Sequence, residues 1–455
     1  MKTLIYTSAL AFLCMIAEIF HLRRYIIPAA ALGLGAIFVL NAGDWGISQS
    51  HYTNMMVTDR FSVAFAGLFL IIGLMITLLS GPFYKGEENK ISDYISVKLF
   101  AITGAVAMVS FGNLAMFYLG IEVLSISLYI LAGSRRRELR SNEAGMKYFL
   151  MGSFASALLL FGIALIYAET GTFDIYQIAD FTTNSTLSRL FYTGAGLILV
   201  AFLFKVSAAP FHFWAPDVYE GSPTLTTALM ATLSKLAAFA AFYKLFSNCL
   251  LPAIPVYAWV LSAVAALTLA ISNFSALQQD SFKRMLAYSG ISHAGYLLLA
   301  ILSLYGKTDN AVFYYAVAYT FASIAAFAIL IVVTANTGSE KIDAFNGLGK
   351  RKPLLAAALT IAMLSMAGIP PFAGFFAKYY VFSEAIRNGH LYITLFAVFA
   401  SVVSVYYYFK VITAMYMAEA AEPVFTVKPI YAIVVGISIA LTLILGLFPD
   451  TVSFL

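Results

Sequence analysis

Fourteen predominantly apolar stretches, most of them about 20 residues long, follow one another along the 455 residues, and they limit the possible folds more than any motif does. Their approximate limits are 3–20, 25–41, 61–81, 95–111, 113–133, 148–168, 188–209, 223–246, 252–274, 285–305, 311–335, 354–386, 390–415 and 429–448. The fourth and fifth meet at Gly112 and Asn113, and the twelfth is long and interrupted. A bilayer interior offers no water to backbone N–H and C=O groups, so only helices and closed barrels cross it. Barrels would show alternating segments of roughly ten residues, and none occurs. With 62% hydrophobic and 11% charged residues, the chain has too little polar surface to cover a soluble particle. The expected fold is an all-α membrane protein of about 14 transmembrane helices.

Basic residues collect in the cytoplasmic connections of membrane proteins, which gives an independent check on this layout. Of 27 lysines and arginines, eighteen fall in odd-numbered connections or within a few residues of them, including Arg23, Arg24, the run Arg135 to Arg140, and Lys350, Arg351 and Lys352. Six fall in the N-terminal segment and in even-numbered connections or within a few residues of them: Lys2, Arg60, Arg189, Lys244, Lys307 and Arg387. Three, Lys205, Lys235 and Lys378, are left over as intramembrane residues. The asymmetry predicts an even number of spans in a cell inner membrane, with both termini on the outer side. Lys2 before the apolar run Leu4 to Ile16 suggests a secretory signal, but no small-residue cleavage site follows, so an uncleaved first span is expected. The net charge of +5 reflects topology rather than nucleic-acid binding, and the loops are too short for a soluble catalytic domain. Cys14 and Cys249 have no spacing partner and the five histidines are scattered, which argues against a haem, cluster or other metal site.

Glu122, Lys205, Lys235 and Lys378 lie inside the apolar stretches. An ionisable group near mid-membrane costs roughly 2.5 to 3.5 kcal/mol on insertion scales, which makes each a functional candidate and together suggests a path for protons or cations. Two spans are also interrupted, at FKVSAAPFHFWAPDVYEGSP (204–223) and AGIPPFAGFFAKYY (367–380). Pro210, and Pro370 with Pro371, remove backbone donors and break their helices. Breaks at corresponding places in two halves point to a transporter built from inverted repeats. The predicted division is an N-terminal three-helix segment (1–94), a first five-helix repeat (95–250), a second, inverted one (251–417) and a C-terminal helix (418–455). A broken helix exposes unpaired carbonyls that favour a cation. Lys205 lies five residues before Pro210, near such an end, whereas Lys378 follows its break and bears a different relation to it.

Residues 204–235, FKVSAAPFHFWAPDVYEGSPTLTTALMATLSK, closely resemble the hallmark of the antiporter-like membrane subunits of respiratory complex I, the NADH–quinone oxidoreductase. The resemblance continues through FYLGIEVLSISLYIL (117–131), EAGMKYFLMGS (143–153), DSFKRMLAYSGISHAGYLL (280–298) and AGIPPFAGFFAKYYVF (367–382), in order over most of the chain. Among the subunit types it is similar to the N type. Asp217 to Gly221 stand where the L and M types carry histidines, Lys378 stands where the M type has glutamate, and no long lateral helix follows the last span. The resemblance implies that Glu122 is the fifth-helix glutamate, Lys205 the lysine of the broken seventh helix, Lys235 the central eighth-helix lysine and Lys378 the twelfth-helix residue. It implies a proton-translocating subunit whose partners are the other membrane and peripheral subunits and the bilayer. NADH oxidation and quinone reduction would take place in those subunits, with no cofactor in this chain, which carries no dinucleotide fingerprint.

The expected chemistry is proton exchange governed by which partner stands beside each lysine. With Glu122 close, Lys205 keeps its proton; on separation it hands the proton toward Lys235, which relays through water and His293 to Lys378. Lys147 supports this path or merely pairs with Glu143 at i, i+4. His293 serves equally as a packing hydrogen-bonder. His212 reads as structural, Asp217 and Glu220 as capping or solvating their loop, and Arg135 to Arg140 as a topology signal. Tyr406, Tyr407 and Tyr408 read as packing or interface anchors, and Gly152, Ser153 and Ser156 as sites of close helix packing. Three alternatives stay open: a subunit of a multi-subunit cation/proton antiporter, a hydrogenase- or ferredoxin-linked membrane arm, and a non-pumping scaffold of a quinone module.

Overall fold

The computed structural model describes residues 2–304, 308–418 and 425–452. Lys307, one of the six basic residues expected on the outer side, lies outside them. Among the described residues eleven helices are long and apolar enough to cross a membrane. Three expected spans are shorter or divided: α1 (Lys2–Ile16), α8 (Arg189–Lys205), and the pair α16 (Pro353–Ala367) and α17 (Ala373–Arg387).

The first half contains α2 (Arg23–Ala42), α3 (Arg60–Phe83), α4 (Ile91–Val109), α5 (Leu114–Ala132) and the 32-residue α6 (Leu139–Thr170). A short antiparallel hairpin, β1 (Gln49–His51) with β2 (Met56–Thr58), and an amphipathic helix, α7 (Ile175–Asn184), lie between spans. Neither is apolar enough to stand out from the sequence. Polar caps start several spans: Asp59 and Ser62 form a reciprocal capping box on α3, and Asn113 accepts from the Ala115 N–H of α5. Asn113 thus separates the fourth and fifth spans, which the sequence runs together.

After α8 come α9 (Trp214–Gly221), α10 (Thr224–Leu229) and α11 (Lys235–Asn248), with a π-helical turn at Met230–Ser234 joining the last two. The second half adds α12 (Ala253–Leu277), α13 (Phe282–Leu302), α14 (Asp309–Thr337), the short α15 (Leu348–Arg351), α16, α17, α18 (Leu391–Met417) and α19 (Pro429–Leu447). Helix α14 is enclosed along its span and packs against α3, α10, α13, α16, α17 and α19. By contrast, α2, α12 and α18 leave most of their apolar surface open, with Trp259 and Tyr406 among the exposed side chains. Hydrophobic burial gives no net drive to a helix pair in lipid, so close backbone approach matters more. Gly104 of α4 lies against the backbone of Leu124, and Gly162 of α6 lies against the Gly194 carbonyl of α8. At Gly152 the Tyr129 side chain occupies the space a Cβ would need, whereas Ser153 is exposed.

Two lysines assigned to connections by sequence are enclosed within helices. Lys98 lies in α4 and donates to Ser80 at 2.8 Å. Lys244 lies in α11 and pairs with Asp59 at 2.9 Å. Each falls within a few residues of a span end, where counting alone does not separate a loop lysine from a buried one.

Candidate functional site

The first break follows Lys205, the last residue of α8. Ser207 adopts a left-handed φ of 61°, uncommon for a residue with a Cβ, and the Ala208 N–H reaches back to the Leu203 carbonyl at 2.8 Å. At the second break Gly368 is left-handed, with φ 86°, and the Ile369 N–H reaches back to Leu364 at 3.0 Å. Leu203, Ser207 and Pro210 thus correspond residue for residue to Leu364, Gly368 and Pro371. The Ala209–Pro210 and Pro370–Pro371 peptides are both cis.

The lysines use these breaks in the opposite sense to that expected. Lys205 Nζ points away from the opened carbonyls and donates to Ser125 Oγ at 2.8 Å and Ser156 Oγ at 3.4 Å, on α5 and α6. The indole of Trp214 takes the Phe204 carbonyl instead, at 3.3 Å. Lys378 reaches back over its break and donates to the Ala367 carbonyl at 2.8 Å and to Ser401 Oγ at 2.7 Å. Ala367 ends α16, so a lysine ammonium there meets the negative end of the helix dipole. Its Nζ also stands 4.8 Å above the Tyr296 ring.

Glu122 lies one turn from Ser125 on α5, yet the hydrogen bonds of Lys205 among the described residues go to Ser125 and Ser156, and the Glu122 Oε1 is enclosed without a hydrogen-bond partner.

Lys235 follows the π turn, a feature that often marks functional positions because it displaces a side chain from regular α register. It is buried and donates to the Gly290 carbonyl of α13 at 2.6 Å. A Cβ on Gly290 would stand 3.0 Å from Lys235 Nζ and 3.2 Å from the Tyr319 hydroxyl, so the glycine opens this approach. One turn on, His293 Nδ1 meets the Tyr315 hydroxyl at 2.6 Å and its ring stands 4.8 Å from that of Tyr319. Its Nε2 lies 3.4 Å from the Tyr408 hydroxyl, which is 2.5 Å from Ser289 Oγ. Tyr407 reaches Asn273 at 3.2 Å. Of the three consecutive tyrosines, Tyr407 and Tyr408 are therefore part of a buried polar network, and only Tyr406 faces outward. Their pairings span more than a hundred residues and leave no local trace in the sequence.

A second charged cluster lies just beyond the first break. Lys147 pairs with Glu143 at 2.6 Å, as its spacing predicts, and also with Asp217 at 2.9 Å. Arg284 of α13 joins Asp217 at 3.1 Å and Glu220 at 2.6 Å. Asp217 and Glu220 are thus not merely solvating a loop; they tie α9, just beyond the first break, to α6 and α13. Burial pushes the Asp217 carboxyl up, but Lys147 and Arg284 outweigh it and hold the group below the usual carboxylate range. These side chains and Arg140 line an open cavity of about 360 Å³. Nearby, buried Lys283 donates to the Ser222 carbonyl at 2.6 Å and to Glu340 at 3.2 Å. His212, beside the first break, has an enclosed Nδ1 without a partner.

Residues 112–404 match the family described as NADH:quinone oxidoreductase/Mrp antiporter, TM. A relative from Flavobacterium psychrophilum, named NADH-quinone oxidoreductase subunit N, is 50% identical over 454 residues, 99% of each chain. A chain of respiratory complex I from Thermus thermophilus is 33% identical and superimposes with a TM-score of 0.85, covering 98% of both chains. A chain of the Mrp complex from Dietzia sp. DQ12-45-1b shares the fold at 21% identity, with a TM-score of 0.86 over 98% of this chain and 95% of its own.

Proposed function

This chain belongs to the NADH:quinone oxidoreductase/Mrp antiporter transmembrane family, and on that footing we infer that it is a proton-translocating membrane subunit of an NADH–quinone oxidoreductase. It is a multi-pass membrane protein whose partners are the other subunits of the respiratory complex. The observation that carries the reading is Lys235, enclosed among helices with a carbonyl rather than a carboxylate as its partner. A buried lysine with a carboxylate would be a structural ion pair; one without is suited to gaining and losing a proton.

Glu122 and Lys205 form the input pair, Lys235 the central carrier, His293 with its tyrosines the relay, and Lys378 the output group. Ser125 and Ser156 hold Lys205 away from Glu122, which is the state in which its proton moves on toward Lys235. The break at Gly368 presents the Ala367 carbonyl that receives the Lys378 ammonium. Lys147, with Asp217 and Arg284, positions the segment beyond the first break.

The finer architecture belongs to the same proposal: fourteen spans, counting α1, α8 and the α16–α17 pair, and two inverted five-helix repeats within 95–250 and 251–417, preceded by 1–94 and followed by 418–455. The matching breaks support it. Both termini then lie on the outer side of the inner membrane. This chain holds no cofactor of its own, and NADH and quinone react in the other subunits.

The test is NADH-driven proton uptake by inverted membrane vesicles carrying the whole complex, with and without sodium. Uptake that is abolished by a protonophore and indifferent to sodium is expected. Uptake that requires sodium would favour a cation/proton antiporter, and full uptake by a complex lacking this subunit would favour a scaffold.

A further inference from the structure

The path from Glu122 to Lys378 leaves one fully enclosed lysine unused. Lys98 lies about 10 Å inside α4 from its first residue, at 1.5 Å per residue, and its side chain does not extend back to the membrane surface. It has no carboxylate partner among the described residues; its ammonium donates to Ser80 Oγ at 2.8 Å and stands 4.5 Å over the Tyr84 ring. Tyr84 stacks on Tyr94 with centroids 4.3 Å apart, and the Tyr94 hydroxyl donates to the half-exposed Glu87 carboxylate at 2.9 Å. On its other side the Tyr84 hydroxyl lies beside the Thr226 hydroxyl of α10; both are enclosed and neither completes a well-aligned hydrogen bond. Thr226 is on the short helix that runs into the π turn before Lys235, and that segment packs against both α3 and α4.

Resting on the assignment of Lys235 as a proton carrier, we propose that Lys98, Tyr84 and Thr226 form a second input branch, which loads Lys235 from the end of the bundle bearing Glu87 and Arg135, separately from Glu122 and Lys205. A protonated Glu87 carboxyl gives its proton to the Tyr94 hydroxyl as that hydroxyl passes one on toward Tyr84. The neutral Lys98 amine receives it as an ammonium, and Glu87 is left as a carboxylate. Lys98 then returns to the amine as a proton passes by way of Thr226 to the neutral Lys235 amine. Atoms and charge balance with no further reactant. The charged neighbours at the entrance are Lys90, which pairs with Glu87 at 3.7 Å, Asp93 at the start of α4, and Arg135, which faces both tyrosines.

The rival role for Lys98 is a staple between α3 and α4, and arginine separates the two. Arginine keeps the charge and the donors but does not give up its proton, so it serves as a staple and fails as a carrier. In inverted vesicles containing the whole complex, Lys98→Met and Lys98→Arg should each slow NADH-driven proton uptake several-fold at unchanged complex content. Tyr84→Phe, which keeps the ring over Lys98 and removes only the hydroxyl, should also slow it. Wild-type uptake in Lys98→Arg or in Tyr84→Phe overturns the branch, and these two variants decide the matter if Lys98→Met does not assemble. Lys235→Ala is measured in parallel. If it pumps normally, the central path itself fails; if it alone loses pumping, only the branch fails.

Discussion

Lys235 donates a 2.6 Å hydrogen bond to the backbone carbonyl of Gly290, where a Cβ would crowd the ammonium at 3.0 Å. Bare helix backbone is a weak partner compared with a carboxylate, so the proton is held without being locked in an ion pair.

Gly290→Ala therefore acts on the lysine without replacing it. The position is helical, so alanine suits the backbone, and its methyl would stand 3.0 Å from Lys235 Nζ. Displacing one charged-group hydrogen bond costs about 1.5 to 3 kcal/mol, roughly one to two decades in occupancy of the native pose. Proton uptake should fall at least several-fold while the complex assembles normally, as measured by vesicle acidification and blue-native electrophoresis.

Lys205 donates to Ser125 and Ser156 rather than to Glu122, and the input role proposed for Glu122 and Lys205 requires the two to come together and part. Glu122→Ala removes the partner that draws Lys205 back to its starting position, so the protons moved per electron should drop. Wild-type stoichiometry in that variant would exclude the pair as an input device.

The cluster around Asp217 predicts an acid sensitivity. Lys147 and Arg284 hold the folded-state carboxyl below its unfolded value of about 3.9, so its contribution to stability is complete above that pH and is lost as pH falls toward the lowered folded value. In thermal unfolding of the complex followed from pH 6 downward, Asp217→Asn should flatten the decline below about pH 4. An unchanged slope would show that the pairing with Lys147 and Arg284 does not operate in the assembled protein.

What could be read from sequence follows from what local chemistry records. Pro210 and Pro371 announce the breaks because proline cannot continue a helix, and Lys205, Lys235 and Lys378 stand out against apolar neighbours. The π turn leaves no mark, since Met230 to Ser234 contains no helix breaker. Lys378 lies five residues beyond the start of α17, yet a long flexible side chain carries its charge back to Ala367; residue spacing measures Cα positions and not reach. The contacts of His293 with Tyr315 and Tyr408 depend on how three helices pack, which no local pattern encodes. Lys98 is visible within its own apolar span but lies close enough to the end to pass for a loop residue.

The most direct test of the central claim is proton uptake measured together with quinone reduction in inverted vesicles, comparing wild type with Lys235→Ala after confirming that the complex assembles. A path through Lys235 predicts that NADH-driven reduction and pumping fall together. If both persist unchanged, Lys235 is a structural residue and protons cross the membrane elsewhere.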